Sequence, residues 1–140
     1  MIIKHKEIDR INSMCRNTLM HALGMECIDL GEDWIKVRMP VNYSTQQPLG
    51  LLHGGASAAL IESIGSMGSA FVLDTEKEIP LGLEINANHI SGVDSGFVVG
   101  TGKILHKGSK THIWQVEIHH EETGKLVCVG RLTIMVLKKK

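Results

Sequence analysis

Residues 53–73 read HGGASAALIESIGSMGSAFVL and contain no proline. Leu60, Ile64, Met67 and Phe71 recur at helical spacing, so the segment predicts one long helix. The rest of it is unusually small: Gly54, Gly55, Ala56, Ser57, Ala58, Ala59, Gly65, Ser66, Gly68, Ser69 and Ala70 leave little side-chain bulk. Each glycine inside a helix costs about 1 kcal/mol relative to alanine. So many of them need a packing reason, and the close approach of sheet backbone on several sides supplies it. The stretch predicts a central helix wrapped by a sheet.

The flanking segments agree. Upstream, residues 42–52 (NYSTQQPLGLL) have no clean period and read as a loop. Before it, MECIDL and WIKVRMPV are separated by Gly31-Glu32-Asp33, and Ile35, Val37 and Met39 alternate with Trp34, Lys36 and Arg38; this predicts a β-hairpin. Residues 7–23 place Ile8, Ile11, Met14 or Cys15, Thr18 or Leu19, and Ala22 on one stripe, a short amphipathic helix stopped by Gly24. Downstream of a polar turn at 74–78 the chain reads as four strands. In the first, Leu81, Leu83, Ile85 and Ala87 are expected on one face; FVVGTGKIL and HIWQVEI follow, Gly124 turns the chain, and KLVCVGRLTIMVL closes it. Runs of strands with a segregated helix indicate an α+β fold, an antiparallel sheet curled around the helix, in a single domain over residues 1–140.

Composition narrows the function. Fifteen Lys plus Arg balance fifteen Asp plus Glu, which offers no basic excess for nucleic acid. Three widely spaced cysteines without a C-x-x-C pair argue against a disulfide framework or a zinc knuckle and fit a reducing cytoplasm. No apolar run approaches the ~20 residues that span a bilayer, and the N-terminus carries charges from residue 4 onward, unlike a secretory signal. No metal-ligand spacing, no GxGxxG after a strand and no G-x-S-x-G elbow occurs.

What remains is a constellation around the long helix. Glu62 lies among Ala59, Leu60, Ile61 and Ile64, where a carboxylate is expensive unless it is partnered or functional. Ser66, four residues on, shares its helical face. Gly54 and Gly55 stand at the helix N-terminus, whose free N–H groups and partial positive charge suit a developing oxyanion. Gln47 and His53 feed that end from the loop, though Gln46 competes with Gln47 by position. A carboxylate, an oxyanion donor and polar positioning groups form the inventory for acyl transfer to water.

The segment QPLGLLHGGASAALIESIGS, with GLEINANH and LHKGSKTHIWQVEI further on, resembles the hotdog-fold thioesterases of the 4-hydroxybenzoyl-CoA and phenylacetate-pathway type. Within them it looks like the 1,4-dihydroxy-2-naphthoyl-CoA thioesterase branch and its siblings that proofread aryl-carrier proteins. The resemblance implies a hotdog fold and hydrolysis of an acyl- or aroyl-CoA to acid and thiol, with no cofactor, because coenzyme A is part of the substrate. It implies that Glu62 is the nucleophile or general base and that Gly54 polarises the thioester carbonyl. Gln47 and His53 would orient the reacting groups, and Ser66 would hold the water. It further implies that Gly82, the strip His89, Ile90, Ser91 and Gly92, and the turn His106, Lys107, Gly108, Ser109, Lys110 and Thr111 line the acyl group and the coenzyme A arm. It also implies a dimer, paired again into a tetramer, in the cytoplasm, without nucleic-acid or membrane partners. Two other readings share these residues: a hotdog dehydratase acting on acyl thioesters, and a non-enzymatic acyl-CoA-binding module. Leu52, Met67 and Phe71 are expected to frame the acyl group.

Overall fold

The computed structural model describes residues 2–140. Its order is α1 (Ile2–Met14), α2 (Leu19–Ala22), β1 (Glu26–Leu30), β2 (Trp34–Pro40), α3 (Gly54–Val72), β3 (Glu78–His89), β4 (Phe97–Lys107), β5 (Thr111–His120) and β6 (Leu126–Lys138). The strands form one antiparallel sheet in the order β1-β2-β4-β5-β6-β3. Helix α3 packs against five of these six, β3, β6, β4, β2 and β5, so the α+β architecture and the wrapped helix are as the sequence predicts.

The small residues of α3 are the contact points. A side chain at Gly68 would put its Cβ 2.5 Å from the Trp114 indole, and one at Gly65 would collide with Leu132. The sheet reciprocates, since Gly100 and Gly102 of β4 receive Ile64. Leu60, Ile61 and Ile64 fill the remaining space and are fully buried. Such interdigitation is what native packing density requires.

Two local expectations are corrected. Residues 7–23 do not form one helix. The chain starts to coil at Ile2, stops at Met14, and resumes for four residues at Leu19. Asn17 between them takes φ +59°, a left-handed conformation that ends a helix and that asparagine tolerates better than most residues. Ile11 and Cys15 face the core as expected, while Met14 and Leu19 are exposed. Second, Leu81, Leu83, Ile85 and Ala87 do not share a face. The β3–β6 register shifts between Gly82 and Glu84, so Leu83 is an extra residue that switches the alternation. Ile85 and Ala87 pack on the core, whereas Leu81 and Leu83 are 49% and 57% exposed.

Ser69 does more than pack. Its hydroxyl accepts from Trp114 Nε1 at 2.8 Å and shares a hydrogen bond with His112 Nδ1 at 2.8 Å, all three residues being buried. Burial, and secondarily the Lys107 charge, hold the His112 imidazole below its ordinary value. The unfolded chain takes up a proton near pH 6.5, about the free imidazole value, that the fold refuses until the pH is lower. The ring is neutral in both states above that point, and stability is lost as pH falls below it. Melting temperatures measured from pH 8 to pH 5 are expected to fall once the pH passes ~6.5. The decline should be shallower in His112→Asn, whose amide can still hydrogen-bond Ser69 in either direction but cannot take a proton.

Candidate active site

The first turn of α3 is assembled from the loop before it. The His53 main-chain N–H donates to the Thr45 carbonyl at 2.8 Å, and buried Thr45 is anchored through its hydroxyl to the Pro40 carbonyl at 2.8 Å. His53 is the N-cap: its Nδ1 accepts from the Gly55 N–H at 2.7 Å, which places the proton of the neutral ring on Nε2. The His53 carbonyl accepts from Ala56 and Ser57. The Gly54 N–H is left without an intramolecular acceptor among the described residues, at the positive end of a nineteen-residue helix.

A cleft of about 330 Å³ opens onto this amide. Gln47, Gly54, His89, Ile90, Ser91 and Gly92 line it, so six residues expected at the site converge there. Gln46 is excluded from the role: its amide nitrogen donates to the Gly50 and Asp94 carbonyls and ties the loop together. The Gln47 side-chain oxygen accepts from the Leu49 N–H, which leaves its NH₂ to serve the cleft. His89 stands against Gly54, where an added Cβ would lie 2.9 Å from Nε2, so only glycine leaves the amide approachable. Leu51 and Val127 also line it. Sequence reading missed them, because an apolar residue at a strand or loop end looks the same whether it lines a cleft or the core.

Glu62 sits two turns further along α3. Its Oε2 is buried and has no hydrogen-bond partner among the described residues. It points at β3, where a Cβ on Gly82 would lie 2.5 Å from that oxygen. Gly82 therefore provides clearance for the carboxylate, and the bulge at Leu83 begins beside it. Desolvation raises the Glu62 pKa above the ordinary glutamate value. Ser66 does not line the cleft; it borders an apolar cavity between α1 and α3.

The turn His106–Thr111 is elsewhere. Lys107 borders Phe71 and Val72 at the C-terminal end of α3, whereas the cleft is at the N-terminal end. Eighteen residue steps at 1.5 Å separate the two ends, roughly 27 Å. Within the turn, the Gly108 N–H is already donated to the Thr111 carbonyl at 2.9 Å, while His106, Lys107, Ser109 and Lys110 are exposed. Leu52, Met67 and Phe71 line three separate cavities and do not frame one acyl group. Among the described residues no group of three or more His, Cys, Asp or Glu is placed to hold a metal, and no helix is long and apolar enough to cross a membrane.

Residues 49–127 match the family model of the thioesterase superfamily. A 1,4-dihydroxy-2-naphthoyl-CoA hydrolase of Escherichia coli K12 is 42% identical over 98% of this chain and 100% of its own. Among solved structures, a thioesterase of Haemophilus influenzae is 43% identical and superposes with a TM-score of 0.89 over 94% of this chain and 90% of that one. A thioesterase of Pseudomonas aeruginosa, crystallised as a glutamine-to-alanine variant, is 37% identical, with a TM-score of 0.91 over 94% of each chain.

The raised Glu62 pKa has a consequence for stability. A carboxyl whose folded pKa exceeds its unfolded one opposes folding once the pH rises through that range, because the fold disfavours the charged form. Glu62→Gln is expected to melt above the wild type at pH 7 in calorimetry. The gap should close as the pH falls well below the ordinary glutamate value of about 4.3, where the wild-type carboxyl is protonated in both states.

Proposed function

This chain belongs to the thioesterase superfamily and is a thioester hydrolase, and from that premise we propose that it cleaves a coenzyme A thioester in a site completed by two subunits. The observation that carries this reading is the separation of its two chemical parts. Gly54, which offers the amide, and Glu62, which carries the carboxylate, lie eight residue steps apart on one helix, roughly 12 Å of rise between their backbones. One thioester carbonyl cannot use both, because an oxyanion donor and an attacking group must each come within ~3 Å of the same two atoms.

Strand β3 supplies the means of joining two copies. It is an edge strand of twelve residues, with Leu81 and Leu83 exposed, and unprotected edges of that length tend to be paired. Glu62 abuts this strand at Gly82, and Gly54 abuts its far end at His89. When two β3 strands pair antiparallel about a two-fold axis, the His89 end of one lies beside the Gly82 region of the other. Gly54 of one subunit then faces the partner's Glu62.

In that site the Gly54 N–H and the helix dipole polarise the thioester C=O. The Glu62 carboxylate, made more basic by its desolvation, takes a proton from water as the water oxygen adds to the carbonyl carbon. Alternatively it attacks that carbon directly and is released by water. Collapse breaks the C–S bond, and the proton goes to the departing thiolate. Gln47 and His89 border the cleft through which the thioester arm reaches Gly54. The turn His106–Thr111 can meet a coenzyme A only from a neighbouring subunit, which suits a dimer paired again into a tetramer. The three buried, unpaired cysteines, with the Cys27 thiol pushed up to about 11 by burial, fit a reducing cytoplasm.

Removing the carboxylate tests its role. Glu62→Ala is expected to lower kcat by about three orders of magnitude with little change in KM, as for loss of a base or nucleophile. Complementation tests the shared site. Glu62→Ala and Gln47→Ala chains, each weak alone, should recover on co-expression toward about a quarter of wild-type activity, because half the random dimers are mixed and each restores one of two sites. Activity equal to the mean of the two parents would place both residues of a working site in one chain.

A further inference from the structure

Among the described residues, Ser57 is the one buried polar residue in the lining of the Gly54 cleft: it is 2% exposed, yet the cleft reaches it. Its hydroxyl has no hydrogen-bond partner among those residues, whereas the Ser63 hydroxyl on the same helix donates back to the Ala59 carbonyl at 2.7 Å. Building on the reading that this cleft admits the thioester arm to Gly54, we propose that Ser57 is a specificity-determining residue. Its hydroxyl binds the amide that lies two methylenes from the sulfur of the thiol arm. The enzyme thereby selects thioesters whose thiol carries an amide at that place.

Reach is the first argument. Ser57 follows Gly54 by three residues, so the two share a helical face, and a helical side chain leans toward the N-terminus. Three residue steps are roughly 4.5 Å of rise. A sulfur and two methylenes separate the thioester carbon from the first amide of a pantetheine arm, a comparable length. With the thioester oxygen on the Gly54 N–H, that amide arrives at Ser57.

Lining chemistry is the second argument. Leu51, Leu52, Ile90 and Val127 give the cleft apolar walls, which suit methylenes. The polar groups of the adjoining strip are spent on the protein itself. The Ser91 hydroxyl donates to the Leu126 carbonyl, and the Ile90 and Ser91 N–H groups both donate to the Val127 carbonyl. His89 is exposed at the rim. The lining holds no lysine or arginine, so the group that meets Ser57 is neutral. A hydroxyl both donates and accepts, and it serves either the C=O or the N–H of an amide. An all-carbon arm would strip water from Ser57 and return no bond, the loss by which a hydrogen-bonding site rejects an apolar analogue.

The test follows thiol release by purified enzyme from three thioesters of one acyl group, made with benzoyl and again with hexanoyl. The thiols are coenzyme A, N-acetylcysteamine, which keeps the first amide, and pentanethiol, which replaces it with methylenes. The wild type is expected to favour the N-acetylcysteamine thioester over the pentanethiol one in kcat/KM by about tenfold or more. Ser57→Ala should lower kcat/KM by about tenfold on the two amide-bearing thioesters and stay within about twofold on the pentanethiol thioester. The loss should fall on KM, with kcat within about twofold, because the amide is bound alike in the ground and transition states. Where turnover of the truncated pair is slow, their inhibition constants against the coenzyme A thioester give the same comparison. Alanine is the best helix former and the change removes one oxygen, so the variant keeps the fold, which its melting temperature checks.

Equal losses on all three thioesters in Ser57→Ala, no loss on any, or a loss carried by kcat would overturn the proposal. So would a wild type that handles the two truncated thioesters equally well. Each of those outcomes, with the coenzyme A thioester still hydrolysed, would leave the thioesterase reading standing; a wild type that releases no thiol from benzoyl-CoA or hexanoyl-CoA would end both.

Discussion

The distance between α3 and the sheet governs this molecule. Gly65 and Gly68 on the helix, and Gly100 and Gly102 on β4, bring backbone to within side-chain reach of Leu132, Trp114 and Ile64. No room is left along most of the helix for anything longer than serine that is not apolar. Glu62 is the exception, and it persists because β3 has a glycine opposite it. The same tight layer that gives the fold its cohesion strips water from that carboxylate, leaves one oxygen without a partner and raises its basicity. On the role proposed for Glu62, reactivity is a by-product of packing.

The wrapped helix also separates functions along its length. Its N-terminus opens on a cleft of mixed polarity, its middle carries the carboxylate, and its far half borders an apolar cavity under α1. Those three zones are spaced by the helix rise and cannot be brought closer by any side-chain rearrangement. On the function proposed above, a substrate that needs the first two together takes them from two helices, and the exposed β3 edge is where a second copy would supply its own. Under that proposal its exposed leucines, Leu81 and Leu83, are the surface that would bring two half-sites into register.

Much of this was legible in the residues alone. The small-residue pattern of 53–73 predicted the wrapped helix to within one residue at each end, and the two-residue period of Trp34–Met39 predicted the hairpin. Gln47, Gly54 and His89–Gly92, all singled out in the sequence, converge in one cleft. The failures have specific causes. The bulge at Leu83 inserts one residue into a strand whose alternation otherwise looks perfect, and no local signal marks it. The first helix breaks at Asn17 because a single left-handed residue outweighs an apolar stripe that continues past it. Serine at 69 reads as a small packing residue until Trp114 and His112, more than forty positions away, are seen to converge on it. The turn His106–Thr111 matched a family pattern, yet the fold sets it at the opposite end of α3 from the cleft, a separation that no local sequence signal carries.

Titration of the Glu62 carboxyl itself tests the central claim most directly. With carboxyl-¹³C glutamate incorporated, the Glu62 signal is identified by its absence in Glu62→Gln and followed by NMR from pH 3 to pH 8. Desolvation in the layer between α3 and β3 predicts a midpoint clearly above the ordinary glutamate value of about 4.3, separated from the exposed glutamates of the chain. A Glu62 midpoint at or below theirs would mean that the carboxylate is solvated or ion-paired in the working protein, and the account of how this fold makes a reactive base would fail.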